Sequence, residues 1–113
     1  MPRLEQVEID ADRITNEASF HDIFNKAFGF PDFYGRNMNA WVDCMTSLDV
    51  PEDGLTKIHA PVDQPLTLIV KEASDFERRC PELLKTLLIC AAFVNGRRME
   101  TDERPVLLVA FVG

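Results

Sequence analysis

Asp43, Asn39 and Thr46 are spaced so that, on a helix, a carboxylate has an amide one turn before it and a hydroxyl one turn after it, with Val42 alongside. A carboxylate held on a stiff helix offers charge-assisted hydrogen bonds to a cation. Phe33 and Tyr34, just upstream, offer the rigid aromatic area that anchors many interfaces. This set is suited to binding and not to turnover: the chain has no glycine-rich phosphate loop, no nucleophile elbow and no clustered acid–base pair. Nothing close in sequence supplies a base to Cys44, so that thiol reads as a small packed residue. The pattern alone is also that of an ordinary amphipathic helix with a solvated outer face.

The elements that must position these residues are a turn and a helix. Pro31 fixes its own φ and biases Phe30 away from the helical region, and Gly35 is expected to take the positive φ of a tight bend before a helix. From Asn37 onward, Met38, Trp41, Met45 and Leu48 recur at steps of three, four and three, one apolar stripe facing a core. The run FPDFYGRN over Phe30 to Asn37, followed by MNAWVDCMT over Met38 to Thr46, resembles the signature segment of the barstar family, small intracellular inhibitors of secreted ribonucleases.

The resemblance implies a three-stranded parallel sheet and a helix whose carboxylate takes the place of a substrate phosphate among the cations of a ribonuclease site. Asp43 matches the family's principal carboxylate by its place before Cys44. The chain departs from the family pattern at Asn39, where a second aspartate is usual, at Arg36 for a glutamate, at Val42 for a tryptophan and at Phe33 for a tyrosine. An acidic residue on the family's long helix falls near Cys90. The implied partner-binding set is Phe33, Tyr34, Gly35, Asn39, Val42, Asp43 and Thr46, extended by Asp49, Glu52 and Asp53 on the following loop. The implied partner is a basic protein, a ribonuclease or related toxin domain. An acidic interaction module whose partner is not a ribonuclease is the alternative on the same scaffold.

Composition agrees with such a partner. Twelve basic against nineteen acidic residues leave a net charge of −7, which disfavours nucleic acid and anionic membranes and favours a basic protein. A chain of 113 residues with 46% hydrophobic content is expected to form a single domain over 1–113 and to be monomeric when free. No secretory signal and no apolar run of membrane-spanning length is present, so a cytoplasmic location is expected. Cys44, Cys80 and Cys90 are odd in number and lack metal-site spacing; free thiols, no metal and no cofactor are expected. A calcium loop beginning at Asp49 fails because Pro51 and Ala60 stand at ligand positions.

Arg3 to Ile9 alternates as a strand. Ser19 is expected to cap a first helix carrying Phe20, Ile23, Phe24 and Ala27, which Gly29 ends; His21 lies off that stripe and is expected in solvent. Asp49 to Pro65, with three prolines and a glycine, reads as a long loop; its acids oppose the dipole of the preceding helix and need Lys57 or a cationic partner to answer them. Leu66 to Val70 reads as a buried parallel strand, and Ser74 as the cap of a short helix. A long helix from Pro81 to Asn95–Gly96, apolar almost all round and so expected to be heavily covered, and a strand over Pro105 to Val112 follow. Strands joined by helical crossovers make an α/β, two-layer fold: a three-stranded parallel β-sheet with helices packed mainly on one face.

Overall fold

A computed structural model describes residues 5–61 and 63–113. The elements are β1 (Gln6–Asp10), α1 (Glu17–Phe28), α2 (Met38–Thr46), β2 (Leu66–Lys71), α3 (Ala73–Arg79), α4 (Pro81–Glu100) and β3 (Leu107–Val112), with single 3-10 turns at Ala11–Arg13 and Pro51–Asp53. Arg3 and Leu4, expected to open β1, lie outside the described residues. The strands pair in parallel in the order β1-β2-β3, with Val7 opposite Leu68 and Leu68 opposite Val109. The expected two-layer α/β architecture is the one observed.

Period-two alternation decides which face of the sheet is dry. Along β2, Leu66, Leu68 and Val70 are fully buried, while Thr67, Ile69 and Lys71 are half covered. The buried face joins Ile9 and Leu107 to the apolar sides of the helices in one core. On the other face Lys71 answers Glu8 and Asp10 of β1 at 3.6 and 3.5 Å. β2 is therefore covered well on one side only, not on both as its apolar run suggests, and Leu108 and Val112 of β3 stay exposed.

α1 begins earlier than expected. Asn16, not Ser19, is the N-cap: its Oδ1 accepts from the Ser19 amide at 2.8 Å, and the Ser19 hydroxyl accepts from the Asn16 amide at 3.0 Å. Ser19 serves as the third residue of a capping box, a role its hydroxyl fills like a shortened Glu. Gly29 ends the helix at φ +67, as expected, and a Cβ there would meet the Lys57 stem at 2.7 Å. Nor does Ser74 cap α3, since Glu72 at φ +57 precedes the helix and Ser74 lies within it.

α4 passes through Asn95 and Gly96 to Glu100, so that pair does not end it. Asn95 is mid-helix because its side chain is spent elsewhere: Nδ2 donates to the Leu107 carbonyl at 2.8 Å, and Oδ1 accepts from the Val106 and Leu107 amides at 3.0 and 3.2 Å. One amide thus ties α4 to the start of β3, removing the local competition that makes asparagine a helix terminator. Replacing Asn95 with alanine strands these backbone groups and should cost about 2 kcal/mol, read as a lower urea midpoint at unchanged m-value.

Candidate partner-binding site

Asn37 sets the start of α2, its Oδ1 accepting from the Ala40 amide at 2.8 Å. Nine residues are too few to hold a helix by its own hydrogen bonds. Packing supplies the rest: Trp41 is fully buried, edge-on to Phe24 at 5.6 Å and tilted against Phe20 at 6.4 Å, with Met45 and Leu48 buried beside it.

The loop into α2 is fixed by aromatic contacts. The Tyr34 amide closes a turn onto the Pro31 carbonyl at 2.9 Å, leaving Phe33 at its tip with 79% of its surface exposed. Tyr34 is buried, packed on Phe30 at 4.5 Å, and shares a 2.5 Å hydrogen bond with Nδ1 of His21. His21 is not in solvent as expected but 1% exposed, with Nε2 3.5 Å from the Glu17 carboxylate. Keeping the ring proton on Nε2, towards Glu17, leaves Nδ1 to accept from the tyrosine hydroxyl. Burial, the largest influence, holds the imidazole below its ordinary value against the opposing pull of Glu17. Burial also pushes the Tyr34 phenol upward, so it stays a donor.

Gly35 does not take the positive φ. Arg36 does, at +54, and it is held there by Asp22 at 2.5 Å and by the Ala18 carbonyl at 3.2 Å. Space favours glycine at 35 instead: an added Cβ would lie 3.1 Å from Nδ2 of the capping Asn37, which would have to give way by a few tenths of an ångström. Arg36, which from sequence would oppose a cationic cleft, is folded back on α1 and paired.

On α2 itself, Asp43 points outward with its side chain 64% exposed, and Asn39 is exposed beside it. Val42 is buried rather than displayed, and the Thr46 hydroxyl is turned onto the Val42 carbonyl at 2.6 Å. Cys44 is buried, and burial, then the neighbouring Asp43 charge, pushes its thiol up to about 11, as befits a packed and unreactive side chain. Asp49 belongs to the fold: its two oxygens take Nη1 and Nη2 of the buried Arg98 at 2.8 and 2.7 Å. Arg98 also bonds the carbonyls of Thr46 and Arg104. Arg98 thus answers the Asp49 charge at the C-terminal end of α2. Glu52 and Asp53 are exposed on their 3-10 turn.

The tertiary fold adds residues that sequence reasoning did not include. A groove of about 410 Å³ runs between α2 and α4, where Asn39, Val42 and Asp43 meet Ile89, Phe93 and Arg97. Arg97 Nη1 lies 3.1 Å from Asp43 Oδ1. Far from being heavily covered, α4 exposes Ile89 and Phe93 by more than half. The surplus of apolar residues around α4 was the available signal; it marks a surface beside Asp43, not a second layer of packing. Among the described residues no group of three or more His, Cys, Asp or Glu could hold a metal, and no helix is long and apolar enough to cross a membrane.

Comparison with known proteins identifies the family. A family model described as Barstar (barnase inhibitor) matches residues 4–110. The chain is also 34% identical over 68 residues to the "Putative ribonuclease inhibitor YrdF" of Bacillus subtilis (strain 168), a match spanning 60% of this chain and 60% of that protein.

Two measurements test the supports of the site. Asp49→Ala leaves Arg98 with Glu103 at 3.5 Å as its nearest remaining carboxylate; it should cost roughly 2–3 kcal/mol of stability by chemical denaturation. Because the folded state holds His21 below its ordinary value, the unfolded chain binds the extra proton first. The stabilisation from keeping His21 neutral is complete above about pH 6.5 and is lost as pH falls through the window below it. Stability against pH should therefore bend downward there, and the bend should be absent in His21→Phe.

Proposed function

Since the chain belongs to the barstar family, whose members are inhibitors and not enzymes, we propose that it binds a ribonuclease and blocks its active site, with Asp43 standing where a substrate phosphate would lie. The observation that carries this reading is the outward Asp43 carboxylate on a helix pinned by Trp41. A ribonuclease must gather cations to hold RNA, and a fixed carboxylate is complementary to such a cluster at small entropic cost.

The remaining residues take different parts. Phe33 and Asn39 are exposed and make direct contacts, and Glu52 and Asp53 extend the acidic rim. Tyr34, Gly35, Val42, Thr46 and Asp49 act through the shape they hold: they are buried, closely approached or bonded within the chain. The protein works as one domain, monomeric when free and cytoplasmic; one core cluster joining all three strands to the helices supports the single-domain reading. The net charge of −7 favours encounter with a basic enzyme.

The test is co-purification of the partner from the native cell, followed by an RNA-degradation assay. Stoichiometric addition of the protein should abolish the activity of the recovered nuclease. Asp43→Ala should weaken binding by at least about 2 kcal/mol in titration calorimetry, with the melting temperature little changed. Recovery of a basic partner without ribonuclease activity would instead support the interaction-module reading.

A further inference from the structure

Asp43 does not stand alone. Arg97, on the last turns of α4, holds Nη1 3.1 Å from its Oδ1, and both side chains are substantially exposed, 64% for the acid and 45% for the base. The two form the charged rim of the α2–α4 groove, whose lining is otherwise largely apolar, from buried Val42 to exposed Ile89 and Phe93.

A cleft that holds RNA phosphates is a set of cations, and a carboxylate entering it gains most when it arrives unpaired. Here the carboxylate arrives with a guanidinium already on it. A purely cationic cleft must either displace Arg97 or accept a like charge at contact distance, and both are unfavourable.

We infer that Arg97 is a specificity-determining residue: by pairing with Asp43 it weakens binding to a ribonuclease whose cleft meets that carboxylate with cations. This rests on the reading of the chain as a ribonuclease inhibitor. It assigns to α4 a role in partner choice that the turn and α2 do not supply.

The experiment is an inhibition titration of barnase, the enzyme that the family description names, with the full chain and with Arg97→Gln, Arg97→Lys, Asp43→Asn and the Asp43→Asn/Arg97→Gln double variant. Thermal melts verify that each variant is folded. Arg97→Gln should inhibit at a concentration at least about tenfold lower than the unmodified chain, as expected for a close interfacial charge pair. Arg97→Lys, which keeps the charge, should show no gain, and the gain should vanish when Asp43 is also neutralised. Equal or weaker inhibition by Arg97→Gln, including no inhibition by either protein, overturns the inference, as does a gain that survives Asp43→Asn. The barnase series needs no native partner, so its failure is separable from the ribonuclease-inhibitor reading, which the nuclease recovered from the native cell decides.

Discussion

The burial of Trp41 against Phe20 and Phe24 is the contact on which the rest of the molecule turns. A helix of nine residues does not persist alone in water, so α2 exists because it is packed against α4 and its Trp41 is seated on the aromatic side chains of α1. The direction in which Asp43 points is thus a consequence of packing on the opposite side of the helix. The same aromatic row continues through Phe28 and Phe30 to Tyr34, which carries order from α1 into the loop that bears Phe33. The helix that carries Asp43, so held, has little conformational freedom left to lose in any complex.

Charge is arranged with similar economy. The chain carries an acidic excess, yet the three ion pairs nearest the site each use an arginine: Arg36 with Asp22, Arg97 with Asp43 and Arg98 with Asp49. Only the last has a buried member, Arg98, and it is structural, since it closes the C-terminal end of α2 against α4 and also bonds two carbonyls. The Asp43 pair is exposed and contributes little to stability. A pair that solvent screens in the free protein becomes strong wherever a partner excludes the water.

Several differences between sequence and structure share one cause: a side chain was occupied by a partner distant in the chain. Asn95 would end a helix if its amide were free, but β3 takes it. His21 looks like a surface residue from its place off the apolar stripe, yet Tyr34 gives it a buried partner thirteen positions away. Positive φ falls on Arg36 and not on Gly35 because Asp22 and the Ala18 carbonyl hold that arginine in place. Such errors are not failures of local propensity, since tertiary hydrogen bonds outweigh the few tenths of a kcal/mol that propensity supplies.

What the amino-acid order determined without help was the succession of strands and helices, the parallel sheet that helical crossovers require, the stripe from Met38 to Leu48 and the face bearing Asn39 and Asp43. Periodicity is a local property, and it survives in the one-dimensional string. Only the tertiary fold decided that Tyr34, Val42 and Asp49 serve the scaffold, that α4 leaves Ile89 and Phe93 in the open, and that Arg97 reaches across fifty-four positions to meet Asp43. The physical reason is that burial and charge pairing depend on which elements lie side by side, and side chains far apart in sequence meet only after the core has closed.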